Sequence, residues 1–296
     1  MISFILGFGR RNLKRGDKGD DVAALQTTLE LLGISVGVWD SDGIFGPDTE
    51  KGVKEYQSGA QLKVDGIVGP MTRHVLEGDV YGHKPIAAVD LSQHNRLQDE
   101  KINWALIERN VGFLILRCGV TRTEIQPVGI GIDADFAFAA GKCREFNIPY
   151  GCYYYGKVAT AEEGRKEADM CWDTASPHNP LFYVYDVEEP CLTNDVIEAW
   201  VARMRSRGAQ KLGLYIGHHV YPRHRDTVKS FDFIWIPRYG KDDGTYNGLY
   251  NPNFPCDLHQ FTSKGRLPGL RDAKGNTDVD LNRLTGSKPL KWFLTR

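Results

Sequence analysis

Apolar residues at helical spacing begin with Val22, Leu25, Leu29 and Leu32, behind the acidic pair Asp20 and Asp21 and before Gly33 as a stop. A second helical stretch, residues 50–57, places Val53, Tyr56 and Gln57 on one face. The chain also repeats itself: Asp42-Gly-Ile-Phe-Gly-Pro-Asp-Thr49 returns as Asp65-Gly-Ile-Val-Gly-Pro-Met-Thr72. In each copy Asp-Gly makes a tight turn, the apolar pair anchors it, and Gly-Pro aims the chain into a helix. Thr49 and Thr72 are then helix N-caps or lie near the cap. The pattern predicts three short helices joined by two similar turns, over residues 1–78. Residues 79–85 are polar, contain Gly and Pro, and read as a linker.

From residue 86 to the end at 296 the pattern changes. Short apolar runs at 86–91, 113–118, 150–155, 181–187, 212–216 and 233–236 alternate with amphipathic stretches at 104–110, 136–145, 162–174 and 194–207. Near-continuous apolar strands fit a buried parallel sheet. The fold class is therefore α/β: a TIM-like (β/α) barrel, irregular toward its C-terminal end, beside a small three-helix domain. An open doubly wound sheet is the alternative, weakened because no Gly-rich phosphate loop follows the first strand.

Composition narrows the function classes. The 296 residues carry a net charge of -1, with 41% hydrophobic and 25% charged residues. Such a balance gives no global field for nucleic acid or an anionic membrane. Arg10, Arg11, Lys14 and Arg15 cluster, which a solvated arm explains. Residues 1–9 are apolar but lack a basic run before them and a small-residue cleavage site, so no signal peptide is expected. The six cysteines (118, 143, 152, 171, 191 and 256) contain no C-x-x-C pair and read as buried reduced thiols. His218, His219 and His224 are explained by a polar loop, and no metal or other cofactor is expected.

Four acids fall at or near strand ends, where barrels keep their chemistry. Asp90 closes the first strand, Asp186 and Glu188 close the fourth major run, and Asp280 lies near the chain end. Asp186 and Glu188 are two apart on a strand and share a face. Closure makes the first and last strands neighbours, so Asp90 and Asp280 join them in one pocket. Crowding raises at least one carboxyl pKa, as a general acid requires. Glycosidic cleavage needs one protonated carboxyl and one carboxylate. Carboxylate clusters also hold hard cations, but the aromatics at the same strand ends favour a sugar: Tyr153, Tyr154, Tyr155, Tyr185, Tyr215 and Trp235.

Two family resemblances attach to these residues. The segment Leu13-Lys-Arg-Gly-Asp-Lys-Gly-Asp-Asp-Val22, Leu25-Gln26 and the two D-G-x-x-G-P-x-T turns resemble the peptidoglycan-binding domain 1 family over residues 12–78. Asp90-Leu-Ser-Gln-His-Asn95, Phe113-Leu-Ile-Leu-Arg-Cys-Gly119, Asp133-Ala-Asp-Phe136, Tyr183-Val-Tyr-Asp-Val-Glu188, Ile234-Trp-Ile-Pro-Arg-Tyr239 and Gln260-Phe-Thr with Asp280-Leu-Asn282 resemble glycoside hydrolase family 25 over residues 86–284. That resemblance implies an N-acetylmuramidase cutting the β-1,4 bond between N-acetylmuramic acid and N-acetylglucosamine. Glu188 would be the general acid and Asp186 would stabilise the transition state or position the acetamido group. Asp90 and Asp280 would orient that pair, and Arg117, Tyr153, Tyr155, Tyr185, Tyr215, Trp235 and Gln260 would line the substrate site. His259 and Phe261 stand where the family has Trp and Tyr, and Pro237 where it has Ala. The expected partner is the glycan strand of peptidoglycan, met by a monomer that waits in the host cytoplasm as a phage endolysin. A bacterial autolysin, a non-catalytic wall-binding protein and a wall amidase are the competing readings; the amidase lacks a zinc-ligand set.

Overall fold

The period behind Asp20 folds as helix α1 (Asp20–Leu31), with Val22, Leu25 and Leu29 fully buried. Asp20 and Asp21 occupy its first turn, where unpaired N–H groups favour negative charge. Gly33 follows at a φ of 79°, a left-handed conformation open to glycine without steric cost. Helices α2 (Pro47–Gly59) and α3 (Pro70–Tyr81) each begin on the proline of one repeat. Together with Leu13, Phe45, Leu62 and Val68 they close one apolar core.

The computed structural model describes residues 11–37, 41–81, 86–122, 129–270, 278–285 and 288–295. Arg10, residues 1–9 and residues 82–85 of the expected linker lie outside them, whereas 79–81 continue α3. The chain forms two compact units, Met1–Pro85 with Ala105–Asn110, and Ile86–Trp104 with Val111–Arg296. Among the described residues no helix is long and apolar enough to cross a membrane.

A buried glutamine organises each repeat turn. Gln26 donates to Asp42 Oδ1, Ile44 O and Thr49 Oγ1, and accepts from the Gly43 N–H. Gln57 makes the same set with Asp65 Oδ1, Ile67 O, Thr72 Oγ1 and the Gly66 N–H. The threonines are therefore not N-caps: Gly46 caps α2, and Thr49 and Thr72 sit one turn inside, turned to the glutamine. A buried amide left without partners is costly, so the repeat preserves all of them.

The second unit begins with β1 (Ile86–Leu91), β2 (Val111–Arg122), β3 (Gly129–Ile132) and α5 (Phe136–Glu145), the chain between β1 and β2 forming α4 (Trp104–Asn110). It continues through β4 (Tyr150–Tyr155), α6 (Ala161–Ala175), β5 (Tyr183–Val187), α7 (Asn194–Arg207) and β6 (Leu212–Ile216). After that come β7 (Phe233–Pro237), β8 (Leu258–Gly265), β9 (Val279–Leu284) and the short α8 (Leu290–Leu294). Eight strands close a ring in the order β1-β2-β4-β5-β6-β7-β8-β9, and β3 hangs from β2 as an antiparallel hairpin. The six pairings from β1 to β8 are parallel. The irregularity expected near the end is specific: β9 runs antiparallel to both β8 and β1.

One end of the barrel interior is packed by Phe113, Phe182, Phe233 and Phe293 of α8. Glycine at 151 and 213 makes room for these rings, since a Cβ there would lie 2.1 Å from Phe182 and 2.2 Å from Phe233. Helices end cleanly outside it. Thr160 and Glu163 form a capping box on α6, and Gly208 closes α7.

Candidate active site

Strand alternation decides which side chains meet at the mouth of the barrel. On β5 Val184 and Asp186 point inward, and Glu188 follows on the same face one residue past the strand. Tyr183 and Tyr185 point outward, Tyr183 stacking on Trp172 and Tyr185 on Trp200 at 4.6 Å. Tyr185 also donates to buried Glu167. It belongs to the helix layer and does not line a substrate site, a correction that the period of two itself demands.

Asp90 lies directly opposite Asp280 in the β1–β9 ladder. Asp90 Oδ1 accepts from Asn282 Nδ2 at 2.8 Å and Gln260 Nε2 at 3.0 Å. Gln260 is only 2% exposed, and its Oε1 accepts the hydroxyls of Tyr215 at 2.7 Å and Tyr239 at 2.6 Å. Those two hydroxyls fix the amide so that its N–H₂ faces Asp90. Asn282 is fixed in turn by Trp235 Nε1, which donates to Asn282 Oδ1 at 2.7 Å. Trp235 is 1% exposed and packs edge-on to Tyr215 and Tyr153. Gln260, Tyr215 and Trp235, expected to bind substrate, thus form a support beneath the acids. Asn282 and Tyr239 were absent from the expected site set; as an amide and a loop tyrosine they carried no charge signal, although both lie in the motifs quoted above.

Arg117 points inward from β2, where its Nε donates to buried Asp133 at 2.8 Å. Asp133 also accepts the N–H groups of Gln93 and Asp135, so it ties the loop after β1 to that arginine. Tyr153 and Tyr155 point inward from β4, half-buried. The Tyr155 hydroxyl donates to Glu189 Oε1 at 3.0 Å, and Lys157 pairs with the same oxygen. Two histidines of the stretch after β6 have local partners: His224 with Asn194, and His218 with the Asn253 N–H.

Burial sets the electrostatics. It pushes Asp186 well above the ordinary carboxylate range, helped by Glu188 and Asp90. Asp186 Oδ1 is buried without a hydrogen-bond partner among the described residues. Glu188 is raised by burial and drawn back by the hydroxyls of Tyr215 and Tyr155. Asp90 is raised strongly, by burial first and then by the neighbouring Asp280. Asp280 itself is pushed up to about 6, burial again being the main cause. Among the described residues these acids do not form a three-donor cluster of the kind that grips a hard cation.

Raised carboxyls make the folded state bind protons more tightly than the unfolded chain. Their contribution to stability is complete below the unfolded value, about 4, and is lost as pH rises through about 6 for Asp280. Melting temperature is expected to fall between these values, and Asp280→Asn is expected to flatten that fall. Thermal scans across the range check this; parallel profiles for the two proteins would refute the assignment.

Comparison with known proteins completes the description. Residues 89–270 match the family described as Glycosyl hydrolases family 25. The chain belongs to that family. Residues 18–76 match a Putative peptidoglycan binding domain. The family 25 barrel resembles that of a glycosyl hydrolase 25 of Streptococcus pneumoniae participating in host cell invasion, with a TM-score of 0.64 and 26% identity over 75% of this chain and 98% of that one. It shares its fold with the catalytic domain of an endolysin from a bacteriophage of Listeria monocytogenes, at a TM-score of 0.60 and 24% identity over 71% of this chain and 98% of that one. A probable N-acetylmuramoyl-L-alanine amidase of Bacillus licheniformis is 41% identical over 64 residues, 22% of this chain. The family 25 chain spans 18% of the length of that curated relative.

Proposed function

We propose that this chain is a muramidase that cleaves the β-1,4 bond between N-acetylmuramic acid and N-acetylglucosamine in peptidoglycan. The observation that carries the reading is the pairing of Asp186 and Glu188 on one inward face, in different surroundings. Glu188, past the strand end and only partly buried, is the group able to reach a glycosidic oxygen. Its raised pKa keeps it protonated above the usual carboxylate range, and it gives that proton to the departing sugar. Asp186 lies deeper, with one oxygen waiting for a partner. That oxygen serves the positive charge growing at the anomeric carbon, or the N–H of the neighbouring acetamido group.

Asp90, Asp280, Gln260 and Asn282 lie below this pair and fix its setting. Tyr153 and Tyr155, with Tyr239, offer ring surface to the apolar faces of the sugars. The helical unit keeps the enzyme on its polymer, a role supported by the family match of residues 18–76. The reaction is the same whether the chain serves as a phage endolysin or a bacterial autolysin.

Digestion of purified peptidoglycan tests the reading. New reducing ends on N-acetylmuramic acid, with no release of free amines, are expected. Reducing ends on N-acetylglucosamine would assign a different glycosidase, and free amines would assign an amidase.

A further inference from the structure

Behind the active-site wall, the outward faces of β2 and β4 meet α6 around three cysteines. Cys118 comes from β2, Cys152 from β4 and Cys171 from α6, and all three are fully buried. Their sulfur atoms all lie within 4.8 Å of one another, with Cys118 Sγ and Cys171 Sγ 3.8 Å apart. Nothing in the proposed glycosidase chemistry uses them.

A metal bound by three thiolates at about 2.3 Å holds its sulfurs about 4 Å apart when it lies in their plane. The Cys118–Cys171 edge of 3.8 Å matches that spacing and no edge exceeds 4.8 Å, so an ion could enter the centre as the side chains adjust. The donor set also selects the ion. Structural zinc takes four ligands, and among the described residues no His, Asp or Glu completes this group. Soft thiolates without a fourth donor suit copper(I). We infer that Cys118, Cys152 and Cys171 form a three-coordinate thiolate site for copper(I), which clamps α6 onto β2 and β4. As the three sulfur–copper bonds form, three thiol protons leave to solvent and the copper stays monovalent. Because the sulfurs are sealed from solvent, the ion is taken up as the barrel folds.

The test is cell-free synthesis of the full chain without oxygen, with a phosphine reductant and copper(I) supplied as its acetonitrile complex. After gel filtration against a copper(I) chelator, one retained copper per chain is expected, with three sulfur neighbours by X-ray absorption. Cys171→Ser and Cys152→Ala are each expected to lose it, whereas Cys143→Ser retains it; circular dichroism shows that each variant has folded. No retained copper in the wild type, two sulfur neighbours, or full retention in folded Cys171→Ser would each overturn the site. So would a Cys118–Cys171 disulfide, found by mass spectrometry in a chain that takes up no copper.

Discussion

Glu188→Gln is expected to lower kcat on purified peptidoglycan by about 10²–10⁴-fold, the range contributed by a positioned general acid. The substitution keeps the size of the side chain and its capacity for hydrogen bonding. It removes only the transferable proton. Loss of activity with an unchanged melting temperature therefore isolates proton donation from packing. The wild type is also expected to lose kcat/KM on the alkaline side as Glu188 deprotonates, above the ordinary glutamate range because burial raises it. That limb belongs to the free enzyme, and it is expected to vanish from the residual activity of the variant. Release of reducing ends followed against pH measures both effects, and wild-type kcat in the variant would remove Glu188 from its role.

Asp186→Asn is expected to cost about 10²–10³-fold in kcat, the scale found when one preorganised electrostatic group is removed. Asp186 stands where desolvation makes each interaction strong, and its Oδ1 has no partner among the described residues. In the absence of substrate such a group is destabilising. A buried carboxylate held in that condition is useful when charge or a donor arrives with the reaction. Asparagine keeps the shape but cannot balance a positive anomeric carbon. The loss is therefore expected in kcat, with KM little changed. An equal loss in KM with kcat preserved would show instead that Asp186 only holds the ground-state sugar.

The four acids were legible because a strand period and a closure rule suffice to bring them together. The same period excludes Tyr185, whose outward stacking on Trp200 follows from lying between Asp186 and Val184. The direction of β9 was not legible, since residues 279–284 carry alternating rather than continuous apolar positions. Asn282 escaped notice for a chemical reason: an amide that aims a carboxyl looks, in sequence, like any polar residue. The Gln26 and Gln57 braces were hidden similarly, because the repeat displays the turn residues and not the side chain that holds them. The cysteine triangle had no sequence signature at all, its members being separated by 34 and 19 residues on three different elements.

The reversed strand also sets how this catalytic face tolerates insertions and deletions. Asp280 meets Asp90 across a rung of an antiparallel ladder, and neighbours along β9 face the other way. Removing one residue between the rung and the β8 pairing would turn Asp280 out of the barrel and present an apolar neighbour to Asp90. Irregularities at Gln260/Thr262 and Thr262/Gly265 already adjust the β8–β9 pairing so that Gln260 and Asn282 still face each other. Surface loops can lengthen freely in such a fold. Along these six residues the chain has to keep count.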